Sequence, residues 1–216
     1  MTTPAEFTLP VVFDLGATFA FALAGALAGI KRGYDIVGVF FLALVSGLGG
    51  GLIRDGVFIH TGVTPILTDP RYIEIVAAAT IAGAVFGRRV NRFQRLIAIV
   101  DALGLGAYAA FGTQKALHAG LAVPAAILVG VINAAGGGLL RDIITRQEPL
   151  VFKPGQFYVL TALAGAVTFV FLLVNLNLPA TSAGAGAVAI TILFRMLSIA
   201  FNWQTRSVKE FTDVFP

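Results

Sequence analysis

The chain has 216 residues and a net charge of +4; 57% of it is hydrophobic and 12% charged, about half the charged share of an ordinary soluble domain. With a mean hydropathy of +0.89, this excludes a water-soluble globular domain and predicts an all-α membrane protein. The lack of cysteine excludes disulfides and thiolate metal sites, and the two histidines, His60 and His118, lie far apart in sequence, so no metal and no cofactor is expected.

The N-terminal segment, residues 1–10, contains Glu6 and lacks the basic start of a cleavable signal, so the first apolar run is expected to be retained. Seven apolar runs can then be placed across a hydrocarbon core about 30 Å thick at about 1.5 Å per residue. They cover residues 11–30, 36–58, 72–86, 96–117, 123–144, 157–174 and 182–201. Lys31 and Arg32 follow the first run, Arg88, Arg89, Arg92 and Arg95 the third, Arg146 and Lys153 the fifth, and Arg206 and Lys209 the seventh. All four groups fall on one side, which short basic loops mark as cytoplasmic. The N-terminus is therefore expected outside and the C-terminus inside. This inner basic belt accounts for the pI near 9.8, so no nucleic-acid partner is read from it. Tyr72 and Trp203, at run ends, read as interfacial anchors.

Inside the second and fifth runs the string Gly-Gly-Gly-Leu-x-Arg-Asp occurs twice, at Gly49 to Asp55 and at Gly136 to Asp142. Each glycine weakens a helix by about 1 kcal/mol relative to alanine, and an Arg or Asp at membrane depth costs about 2.5 to 3.5 kcal/mol on insertion scales. A slide of 87 residues that lays Arg54 on Arg141 also lays Asp14 on Asp101, Ala20 on Ala107, Ala22 on Ala109, Gly25 on Gly112 and Gly33 on Gly120. Pro70 meets Pro154 once three residues are dropped. The reading is a first three-helix repeat over residues 11–95, a second over 96–177, a seventh helix over 178–203 and a cytoplasmic tail over 204–216. Because three is odd, the second copy is expected upside down, with a pseudo-two-fold axis in the membrane plane.

From a midpoint near Ser46, Gly50 lies about 6 Å and Arg54 about 12 Å further out at helical rise. Asp14, Arg54 and Asp55 are thus expected in one layer, and by inversion Asp101, Arg141 and Asp142 in the other. Between them lie Gly49, Gly50, Gly51, Gly136, Gly137 and Gly138 with the matched polar pair Ser46 and Asn133. Bare glycine backbone at this depth either packs helices closely or bends them so that carbonyls line water; both can hold. Successive helix positions point about 100° apart, so each Arg is expected to pair with a carboxylate on another helix rather than with its neighbour. The four Asp and two Arg of this axis sum to −2 if ionised, a balance that favours cations. Tyr108 stands where the first repeat has Phe21, which places a hydroxyl near the axis in one half only. Arg195, deep in the seventh run, is expected to have a structural partner. No phosphate-binding loop, dinucleotide fingerprint or catalytic triad is present in the pattern, so an enzyme is not expected.

Two copies of Gly-Gly-x-x-Arg-Asp in a chain read as three plus three inverted plus one resemble the trimeric intracellular cation channels and their prokaryotic relatives, over essentially the whole chain. The resemblance implies a homotrimer with a hydrophilic pore in each protomer that passes monovalent cations, chiefly K⁺, with Na⁺ a further permeant ion. It implies that the second and fifth helices kink at their glycines and that Arg54 and Arg141 are the basic residues after the runs. Membrane lipid is the other expected partner. The short tail, 205–216, has no counterpart of the lysine-containing motif and basic tail of animal members, so lipid and calcium regulation is not carried over, and a prokaryotic cell membrane is the expected location. The same domain has been described as a glycine transporter, and Arg with Asp suits a small zwitterion; a secondary transporter is therefore the alternative.

Overall fold

The computed structural model describes residues 9–60, 62–87, 94–153 and 157–203, with backbone alone for 94–97. The elements are α1 (Val12–Lys31), α2 (Ile36–Ile53) with a π-helical continuation (Arg54–Ile59), α3 (Pro65–Thr68), α4 (Arg71–Phe86), α5 (Gln94–His118), α6 (Val123–Ile144), α7 (Tyr158–Val170) with a π-helical end (Phe171–Asn175), and α8 (Ala180–Ala200). Among the described residues, five stretches are long and apolar enough to cross a membrane: Val12–Lys31, Ile36–Ile59, Val123–Ile144, Tyr158–Asn175 and Ala180–Ala200. At 16 residues, α4 falls just short of the usual minimum of about 17, although its apolar composition reads as a full span. Arg88, Arg89, Arg92, Arg206, Lys209 and Glu6 lie outside the described residues.

Local signals explain the boundaries. Asp35 caps α2 by accepting the Gly38 N–H at 2.7 Å, and Pro124 occupies the first turn of α6, where a missing N–H costs nothing. The chain turns out of α1 at Gly33 (φ 75°) and out of α5 at Gly120 (φ 84°), the left-handed conformation that glycine adopts without penalty. These are the two glycines that the repeat superposes. The short α3 is not foreshadowed by any apolar run; Thr64 caps it, accepting from the Ile66 N–H at 3.3 Å.

Helices α1, α2 and α4 pack together, as do α5, α6 and α7; the two triples meet along α1 with α5 and α2 with α6, while α8 lies on α5 and α7. Small side chains allow this. Ala17, Ala22, Ala26, Ala43, Ala109 and Ala134 are fully buried at these contacts, in line with packing of membrane helices through small residues. Val37, Phe41, Ile81, Val85 and Leu193 are among the large apolar side chains left exposed, the surface expected to face lipid.

The glycine runs take the close-packing alternative. Gly49, Gly50 and Gly51 stay α-helical and buried, and so do Gly136, Gly137 and Gly138. A Cβ on Gly50 would collide with the Asn133 carbonyl, and one on Gly137 with the Ser46 carbonyl. The runs therefore press α2 and α6 backbone to backbone, and their carbonyls are spent on helix hydrogen bonds instead of facing water. The departure from α geometry comes at Arg54, three residues after the first run. A wider turn there accommodates an arginine and an aspartate that must both point into protein.

Candidate functional site

Charge gathers in two clusters on either side of the α2–α6 crossing. In the first, Arg54 is 1% exposed. Its Nε and Nη2 donate to Asp55 at 2.6 and 3.0 Å, and its Nη1 reaches Asp14 and Asn133, each at 3.5 Å. The guanidinium also lies 5.4 Å from the centre of the Phe111 ring. Asp55 accepts in addition from Thr64 Oγ1 at 2.5 Å and from Lys115 Nζ at 2.8 Å. Asp14 accepts from the Tyr72 hydroxyl. Lys115, with its side chain 23% exposed, is the member that meets the surroundings; the Asp55 side chain is 4% exposed.

A polar column leads from this cluster to the crossing. The Tyr108 hydroxyl donates to the Gly47 carbonyl and lies 2.8 Å from Thr18 Oγ1, whose one proton serves either Tyr108 or the Asp14 carbonyl, also 2.8 Å away. The Tyr108 carbonyl accepts from Asn133 Nδ2 at 2.8 Å. Tyr108 stacks on Phe21, its counterpart in the first repeat, at 5.4 Å. Ser46, also fully buried, has a hydroxyl with no hydrogen-bond partner among the described residues.

In the second cluster Arg141 Nε donates to Asp142 at 2.9 Å, and the other Asp142 oxygen accepts the Leu150 N–H at 3.3 Å. The Tyr158 hydroxyl and the Arg141 guanidinium both flank Gly138. Arg195, from α8, sits with its guanidinium 5.2 Å from the centre of the Tyr158 ring. Asp101 interacts electrostatically with Arg141, Arg195 and Asp142.

Several expectations are corrected. Asp14, Arg54 and Asp55 do meet, yet both arginines bind their own neighbours, Asp55 and Asp142, more closely than any other carboxylate. The side chain is long enough to fold back, and the planar fork of the guanidinium rewards a bidentate fit. Tyr72 is not an interfacial anchor: it is 2% exposed and bonded to Asp14. Trp203 is surface-exposed and packs with Phe157, Phe194 and Phe201. The formal sum of −2 over four Asp and two Arg left out Lys115, which pairs with Asp55 in the first cluster.

Lys115, Thr64, Thr18, Tyr72 and Tyr158 carry no mark of a site residue in the sequence. Lys115 falls on Ala28 in the repeat alignment, so a search for matched polar pairs passes over it. Tyr72 and Tyr158 stand 86 residues apart, out of step both with the slide of 87 that matches the aspartates and with the shorter register that matches Pro70 to Pro154. Chemically, the arrangement offers carboxylates in both clusters and, among the described residues, no nucleophile paired with a base. Among the described residues no group of side chains could hold a metal ion. At the first cluster Asp55 pairs with Arg54 and Lys115, and at the crossing α2 and α6 meet glycine against backbone.

A family model described as Glycine transporter matches residues 11–88 and 98–174, one match on each repeat. Curated relatives include a UPF0126 membrane protein of Deinococcus radiodurans, 35% identical over 71% of either chain. Another is the inner membrane protein YadS of Escherichia coli, 30% identical over 71% of this chain and 74% of its own. Among solved structures, one described as the structural basis for conductance through TRIC cation channels is similar over 93% of this chain and 97% of its own, at 31% identity and a TM-score of 0.80. The TRIC trimeric intracellular cation channel orthologue from Rhodobacter sphaeroides is similar over 88% and 97%, at 30% identity and a TM-score of 0.80.

Proposed function

The chain belongs to the family that these matches define, a prokaryotic branch of the TRIC cation channel fold, and from that premise we propose that it is a monovalent cation channel, permeable to K⁺ and Na⁺, with one hydrophilic pore inside each protomer of a homotrimer. It is a multi-pass membrane protein, and its structural neighbours are cation channels. The observation that carries the reading is the buried polar column between α2 and α6, with two carboxylates at each end. Membrane helices hold such groups only where they face one another or a water-filled path.

In this reading the two repeats are inverted and the chain crosses the membrane seven times. The first cluster lies at the outer mouth and the second at the cytoplasmic mouth, with the N-terminus outside a prokaryotic cell membrane. The present conformation is closed. Opening bends α2 at Gly49, Gly50 and Gly51 and α6 at Gly136, Gly137 and Gly138, parting backbones that now touch and letting water reach Ser46, Asn133 and Tyr108. Asp14, Asp55, Asp101 and Asp142 draw cations once Arg54, Arg141 and Lys115 swing aside.

A second reading has an observation of its own. The matching family model carries the description Glycine transporter, and a paired guanidinium and carboxylate at each mouth complement a zwitterion. Purified protein in planar bilayers and liposomes separates the two. A channel gives unitary currents that reverse at the K⁺ equilibrium potential. Saturable glycine counterflow without unitary currents overturns it in favour of the transporter.

A further inference from the structure

The two mouths are built from matching parts that stand in different states. In the first cluster the Tyr72 hydroxyl donates to Asp14. Asp101 is the repeat equivalent of Asp14, and Tyr158 opens α7 as Tyr72 opens α4. Yet Tyr158, 3% exposed, has a hydroxyl with no hydrogen-bond partner among the described residues. A buried hydroxyl without an acceptor is costly, so a competing contact must hold the ring where it is. That contact is Arg195, whose guanidinium lies over the Tyr158 ring at 5.2 Å, a favourable cation–π placement. Its charge also acts on Asp101. The helix that carries it, α8, stands outside the repeat, and among the described residues no cation is seated on the Tyr72 ring.

We propose that Arg195 sets the state of the second mouth: seated on the Tyr158 ring, it keeps a Tyr158–Asp101 latch unmade, and withdrawal of α8 lets that latch close as Tyr72–Asp14 has closed at the first mouth. Arg195 is thus a positioning residue that couples the seventh helix to Gly138, against which the Tyr158 hydroxyl rests. This deepens the pore reading and rests on it only in treating the α2–α6 crossing as the path between the mouths.

The test has two readouts on the whole protein. The first is the ring carbon resonance that bears the hydroxyl in ¹³C-labelled tyrosine. The chain has four tyrosines, and Tyr158→Phe assigns the signal by its loss. In Arg195→Gln the Tyr158 signal should move toward that of Tyr72, and Arg195→Lys should leave it in place. A signal unmoved in Arg195→Gln overturns the proposal, whatever the protein conducts. The second uses the natural absence of cysteine: Ser46→Cys in proteoliposomes, with a membrane-impermeant thiol reagent applied from each face in turn. Adding Arg195→Gln should slow labelling from the face of the second cluster about tenfold, the effect of a hydrogen bond to a charged group. Adding Tyr158→Phe as well should restore the rate, and slowing that persists in that triple variant overturns the latch. A moved resonance with the introduced thiol unlabelled from both faces in every variant supports the Arg195 hold on Tyr158 and overturns the crossing as a path.

Discussion

Lys115→Met is the most informative single change. Lys115 Nζ lies 2.8 Å from Asp55 and is, among the described residues, the one cation in the first cluster that the repeated motif does not supply. Its removal leaves Asp14, Asp55 and Arg54, a formal charge of −1 where the sum was zero. Asp55 is not orphaned, since the two Arg54 hydrogen bonds and Thr64 remain; the variant should fold. A contact ion pair at an effective dielectric near 20 is worth about 4 kcal/mol at 4 Å, and an exposed one about 0 to 1 kcal/mol. With a side chain 23% exposed, Lys115 stands between these limits, so about 1 to 2 kcal/mol is assigned to the tether, a factor of about 5 to 30 in an equilibrium. Single-channel recording in symmetric KCl should therefore show open probability raised about 5- to 30-fold. Lys115→Arg, which keeps the charge, should stay near the parent. Open probability unchanged within about twofold in Lys115→Met would refute a closing role for the ammonium.

Three further outcomes follow from the same geometry. Gly50→Ala and Gly137→Ala each drive a Cβ into a backbone carbonyl of the facing helix; overpacking of this kind costs about 1 to 3 kcal/mol, so thermal unfolding in detergent should fall by several degrees, and an unshifted midpoint contradicts the close crossing. Neutralising Asp55 or Asp142 to Asn should lower cation preference, read as a reversal potential nearer zero in a KCl gradient. Unchanged reversal in both, with folding intact, removes those carboxylates from the pore. Tyr72→Phe deletes a hydrogen bond to a carboxylate, worth about 1.5 to 3 kcal/mol, and should raise open probability about tenfold or more; a fall would place Tyr72 in the conducting path itself.

Periodicity carries the gross architecture, because long apolar runs and a duplicated motif are properties of the chain alone. The match of α6 to residues 123–144 is clean since Pro124 and the final charged pair mark both ends. The π-turn at Arg54–Ile59 leaves no such mark, as its residues read as ordinary helix until Arg54 and Asp55 have to share one side. The glycine runs are legible as sites of bare backbone, but what meets that backbone depends on the facing helix, and only the fold brings Asn133 to Gly50. Lys115 shows the same limit. The sequence places it near a helix end among the loop charges, whereas its length lets it reach Asp55 from inside α5.

The energetics of the clusters bear on whether the molecule is more than a scaffold. Each cluster holds two acids and two bases in or beside helices that also carry three consecutive glycines. Buried ion pairs contribute little net stability, and replacing them with well-packed apolar residues is often neutral or stabilising by about 1 to 4 kcal/mol. Alanines would pack α2 against α6 with better helix propensity than the glycines do, though at a wider spacing. A structure selected for this closed conformation alone would do better with leucine and alanine. The proposed channel gives the polar groups a use in a second conformation, in which the helices part and the same side chains meet water and ions. Replacing Asp14, Arg54, Asp55 and Lys115 together with Leu, Met, Leu and Met, so that no buried charge is left unpaired, should therefore leave thermal stability within a few degrees of the parent and abolish K⁺ flux; flux retained in that variant would place the path elsewhere.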